Sequence, residues 1–119
     1  MDCGSPPPDA LQRGITEFND GAYFACHETL EALWLAERGP VRRLYQGVLQ
    51  VAVALHQLER GNRNGARSML AKALAHLAAC PAPCLGVDVT ALREDARRLA
   101  QSLVREDAAA EVKMRVRLV

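Results

Sequence analysis

An all-α fold is predicted, a compact bundle of about five helices with a short extended C-terminal arm, and three observations predict it. Alanine, leucine and arginine recur throughout, and these residues lose little on entering a helix. Apolar residues return every three or four positions along four separate stretches. Between the stretches stand residues that stop or start helices, namely Asn19-Asp20-Gly21, Gly39-Pro40, Gly61-Asn62 and the Pro81–Gly86 segment.

The elements follow in order. Residues 1–8, with Pro6-Pro7-Pro8, read as a flexible leader, and Asp9 is placed to cap a first helix. Leu11, Ile15 and Phe18 share one face of that helix. A second helix spans roughly Ala22 to Glu37, with Phe24, Leu30, Leu33 and Trp34 as its apolar surface. The third runs from about Pro40 to Arg60. Its centre, Val48 to Leu55, is apolar almost all round, as suits the middle of a bundle. Gly61 suits the left-handed position after a helix and Asn62 the N-cap of the next. The fourth helix carries the stripe Ala66, Met69, Leu70, Ala73, Leu74 and Leu77. A fifth, capped by Asp88 or Thr90, presents Leu92, Ala96, Leu99 and Leu103. In the last stretch, 111–119, the period changes to alternation: Val112, Met114, Val116 and Leu118 against Lys113, Arg115 and Arg117. With no sheet to join, this arm is expected to pack extended, on this chain or on a second copy. The reading is one helical domain over 9–110 between the leader and the arm.

Composition narrows the function classes. With 119 residues, a single core is feasible without disulfide staples. Fifteen basic against fourteen acidic residues, net +1, show no excess that points to nucleic acid. No run has the length of a membrane span and no export signal is visible, so the expected compartment is the cytoplasm. There Cys3, Cys26, Cys80 and Cys84 read as thiols, Cys26 as a core residue and Cys80 and Cys84 as loop residues. His76 lies four residues before Cys80, which is the spacing of a weak metal site at most.

The polar residues gather on the second and third helices. His27 and Glu31, four apart, share a helix face that Trp34 continues. A histidine–carboxylate pair suits a divalent metal, or a general base with its orienting partner. It is not the zinc-protease signature, which needs a second histidine where Glu31 stands. If the second and third helices pack antiparallel around Gly39-Pro40, Gln50 lies level with His27 and Gln46 with Glu31. Gly47 would admit the neighbouring backbone. The expected cluster is His27, Glu31, Gln46 and Gln50, with His56 further along the axis and Glu28 the acid placed to meet it. The alternative is a glutamine–glutamate–histidine network that only satisfies buried polar groups. In that alternative Trp34 is core and Arg42, Arg43, Arg93, Arg97 and Arg98 are a solvated face.

Three motifs in order, Phe18-Asn19-x-Gly21-x-Tyr23-Phe24-x-x-His27-Glu28-x-x-Glu31-x-x-Trp34, Gln46-Gly47-x-x-Gln50-x-Ala52-Val53-Ala54-x-His56 and Gly61-Asn62-x-x-Gly65-Ala66, resemble the prokaryotic domain-of-unknown-function family numbered 309, over roughly residues 11–80. The resemblance implies a small helical bundle and the label of predicted metal-dependent hydrolase. Its polar positions fall on His27, Glu28, Glu31, Gln46, Gln50 and His56. Ala25-Cys26 departs from it, since an acidic residue is expected first.

Three functions follow as expectations. In a metal-dependent hydrolase, His27, Glu31 and His56 would hold a divalent ion and Glu28 would activate water. In an interaction domain, the helix faces would bind a partner and the C-terminal arm would serve self-association. In a small-molecule binder, His27, Glu31, Gln46 and Gln50 would line a pocket closed by Trp34 and Tyr23.

Overall fold

The computed structural model describes residues 1–105 and 114–119. Five helices follow one another: α1 (Asp9–Asn19), α2 (Tyr23–Ala36), α3 (Arg42–Glu59), α4 (Arg63–Ala78) and α5 (Val89–Val104). Each packs chiefly on its neighbours in sequence, and α3 on α4 is the most extensive of these contacts. The short connections leave antiparallel packing as the natural outcome.

Local chemistry explains the boundaries. Gly21 and Gly61 adopt φ of +80° and +76°, a conformation nearly free for glycine alone. Each lets the chain close the preceding helix by reaching back, Ala22 N–H to Glu17 C=O at 2.8 Å and Asn62 N–H to Gln57 C=O at 2.8 Å. The side chain of Asn62 accepts from Gly65 N–H and that of Asp88 from Ala91 N–H, which caps α4 and α5. Asp9 is not the cap of α1. Pro8 holds that place with no side-chain bond, and Asp9 lies in the first turn, where a carboxylate favours the helix dipole.

The helix stripes meet in one core. Leu11, Phe18, Leu30, Leu44, Leu70 and Leu99 are buried within it, and α3 sits at its centre. Gly47 decides how close two helices come, but the partner is α4 rather than α2. A Cβ at that position would stand 2.6 Å from Leu77 Cδ2.

Residues 1–8 are anchored rather than loose. Cys3 is disulfide-bonded to Cys84, Cys3 C=O accepts from Leu85 N–H at 2.8 Å and Pro7 C=O accepts from Gln12 Nε2 at 3.1 Å. This corrects the reading of Cys84 as a free thiol, while Cys26 and Cys80 are free and buried. The arm keeps the expected alternation over 114–117, Met114 and Val116 buried against exposed Arg115 and Arg117, but Leu118, expected to face inward with them, is exposed. It lies on its own chain. The Asn19 side chain donates to Val116 C=O at 3.0 Å and accepts from Val116 N–H at 2.9 Å. An isolated bridge joins Val87 to Leu118. Val112 and Lys113, also read as part of the arm, lie outside the described residues.

Candidate functional site

The hairpin of α2 and α3 does not close completely. Leu49 and Val53 of α3, on the helix that the sequence marks as apolar all round, stay partly exposed. With Met69 of α4 they form the floor of a groove of about 470 Å³. Its rim holds Tyr23, Phe24, His27, Gln50, His56 and Arg60.

Phe24 is the residue that the sequence reading passes over, as ordinary apolar surface of α2. It is 57% exposed, and its ring centroid stands 6.0 Å from the imidazole of His27 and 6.0 Å from that of His56. An aromatic ring left in water between two imidazoles costs hydrophobic free energy that a ligand would recover. The spacing carried the signal, since Phe24 stands one turn before His27 on the same face.

Each of these two histidines has its own acid. His27 Nε2 is 3.2 Å from a Glu31 carboxylate oxygen, as the four-residue spacing predicts. His56 Nδ1 is 3.8 Å from Glu59 rather than Glu28. Glu28 is exposed, and none of the ion pairs among the described residues involves it. Tyr23 has its phenol pushed above the ordinary value, first by burial and then by the charge of Glu59.

The predicted cluster therefore divides. His27, Gln50, His56 and Tyr23 border one groove. Glu31 is half-exposed and reaches it only through His27. Gln46 borders a second groove, between the start of α3 and the end of α4, with Arg42, Arg43 and His76. Gln50, 8% exposed, accepts at Oε1 from His76 Nδ1 at 2.8 Å. A buried amide is thus satisfied across the α3–α4 interface, not by His27. Trp34 closes no groove over His27. Its ring packs under Arg42, whose guanidinium carbon lies 4.2 Å from the centroid and whose Nε donates to Trp34 C=O at 3.1 Å. Arg42 and Arg93 are not merely solvated, since Arg93 also caps Leu77 C=O at 3.3 Å.

A divalent metal finds no complete ligand set here. Among the described residues no three histidine, cysteine, aspartate or glutamate side chains gather at one point. His27 and Glu31 give two donors, and His56 faces its own glutamate, whereas zinc sites ask for three protein ligands or more.

Five sequential helices with an amphipathic groove between α2, α3 and α4 define a small helical-bundle protein with one partly open face. A profile of the family described as "Domain of unknown function (DUF309)" matches residues 11–69, and the chain belongs to that family. The crystal structure of a conserved hypothetical protein, TTHA0068 from Thermus thermophilus, is similar at 40% identity and a TM-score of 0.68. That match covers 80% of this chain and 98% of the other. A protein of Aquifex aeolicus (strain VF5), named "Uncharacterized protein", is 30% identical over 86 residues, which is 71% of this chain and 26% of its own length. "Uncharacterized protein YpuF" of Bacillus subtilis (strain 168) is 40% identical over 58 residues, 48% of this chain and 33% of its own. The chain thus spans a quarter to a third of the length of these two curated relatives.

Proposed function

We propose that this chain is a small-molecule-binding helical module whose site is the groove between α2, α3 and α4. The observation that carries the reading is Phe24, exposed between two imidazoles at the mouth of an apolar floor. The groove has the character of ligand sites, an apolar lining with a few polar groups that fix orientation. Arg60 stands on its rim, and no carboxylate pairs with it among the described residues. The ligand class is therefore a flat, largely apolar molecule bearing one acidic group, its ring against Phe24 and its acid toward Arg60 and the histidines.

Anilinonaphthalene sulfonate has those features and is the probe. Its fluorescence should rise saturably with the folded protein, and both Phe24→Ala and Val53→Gln should weaken binding by about tenfold, roughly the worth of one apolar side chain. Equal binding by wild type and both variants would sink the reading.

The hydrolase reading asks for a third metal ligand beside His27 and Glu31, and none gathers with them among the described residues. No helix among the described residues is long and apolar enough to cross a membrane. We further propose that nucleic acid is not a partner, on the near-neutral charge balance.

A further inference from the structure

The second groove points to a site of its own. It measures about 510 Å³ and is bordered by Arg42, Arg43, Gln46 and His76, with Gly39, Pro40 and Ala75 completing the wall. Three of these side chains are basic and none is a carboxylate. We propose that this groove binds a phosphate monoester, its phosphoryl group held by Arg42, Arg43 and His76. The proposal does not rest on the α2–α3–α4 groove being a site.

The first argument is placement. Arg42 and Arg43 stand in the first turn of α3, which contains no acidic residue. The positive end of a helix dipole disfavours cations there. Glu37, at the nearby end of α2, uses one of its oxygens to accept from the backbone N–H groups of Arg38 and Gly39 and forms no ion pair with either arginine. No carboxylate pairs with either arginine among the described residues. Residues that break a local rule without compensation concentrate at functional positions.

The second argument is preorganisation. Arg42 is oriented by the Trp34 ring beneath it and by the bond from its Nε to Trp34 C=O. Its two terminal nitrogens are left for an anion. His76 is oriented by buried Gln50. Because Oε1 of Gln50 accepts, His76 Nδ1 donates, and Nε2 is left facing the ligand, where it accepts from a phosphoryl hydroxyl when the ring is neutral and donates to a phosphoryl oxygen when the ring is protonated. Gln46 lies three and four residues beyond the arginines, so its amide stands beside both on the helix surface. The N–H groups of Arg42 and Arg43 are already engaged by Gly39 and Pro40 C=O. Side chains, not the helix end, therefore supply the donors. Guanidinium groups match phosphoryl oxygens in geometry and charge, and the volume leaves room for the organic group that the phosphate esterifies.

The test is titration of the full chain with phenyl phosphate, inorganic phosphate and acetate at matched ionic strength. Two signals are followed, the emission of Trp34, the single tryptophan, and the ring proton resonances of His76. Phenyl phosphate should move both saturably. Arg43→Ala should weaken binding about tenfold or more, as expected for a charge-assisted bond. Arg97→Ala, on exposed α5 surface, should leave it unchanged. Arg43 is exposed and its side chain makes no ion pair among the described residues, so its variant tests binding rather than stability. Weaker binding of inorganic phosphate than of the ester assigns the site to a phosphorylated small molecule, and equal binding assigns it to the free ion. An equal response to acetate, no saturable response to either phosphate, or an Arg43→Ala curve that superposes on wild type overturns the proposal.

Discussion

At the scale of single residues, burial governs chemistry. Cys26 sits in the core facing Glu17, and burial, aided by that carboxylate, pushes its thiol from 9.0 up to about 12. The sign follows from linkage. The folded state binds the thiol proton more tightly than the unfolded chain, so this contribution is intact below pH 9 and is lost as pH rises from about 9 to about 12. Urea midpoints measured across that window should fall more steeply for wild type than for Cys26→Ala, and parallel curves would contradict this origin. The geometry around the candidate site residues was legible in part. The spacing of His27 and Glu31 announced their pair, and reflection about Gly39-Pro40 brought Gln50 beside His27. It did not say which neighbour would satisfy the Gln50 amide. The same reflection about Gly61 sets His76 level with Gln46, a signal that lay unused while His76 was weighed against the cysteines. Phe24 escaped because an aromatic on a helix reads as core until the opposite wall is known to be open.

At the scale of elements, helices were read well because their determinants are local. A left-handed glycine marked the end of α3, and an asparagine and an aspartate cap marked the starts of α4 and α5. What local chemistry cannot specify is which face meets which neighbour. Gly47 was assigned to the α2–α3 approach, yet it is the fully buried Leu77 of α4 that fills the space where a Cβ would stand. Gly47→Ala should therefore destabilise the fold by roughly 1–3 kcal/mol through overpacking, despite the better helix propensity of alanine. Chemical denaturation of the variant checks this. A stability equal to or above wild type would mean that α3 and α4 slide apart at little cost. The arm shows the opposite limit. Its alternation was plain, but its partners, Asn19 and the Val87 segment, lie far away in sequence.

At the scale of the whole molecule, the Cys3–Cys84 bond closes a loop with a sequence separation of 81. In the chain-entropy view a cross-link of that span removes disorder from the unfolded state, about 4.5 kcal/mol of stabilisation. Cys3→Ser should lower the unfolding free energy by about that amount, and reductant should lower wild type to the same level. A wild type indifferent to reductant would show that the bond does not form in solution. Even spacing rules could not have found this pair, because the two cysteines lie far apart in sequence and meet only once the helices are packed.

Residues 84–88 then take on a character that their position between two helices conceals. Leu85 is held in the left-handed region at φ +49°, a strained setting for a leucine. The segment is gripped from the front by Cys3 and from the back by Arg117 and Val119, whose backbones bond to Asp88 and Gly86. In most proteins chain ends and loop tips are where opening begins. Here they lock one another, as the two halves of a buckle do, so neither end can peel away without disturbing what secures the other.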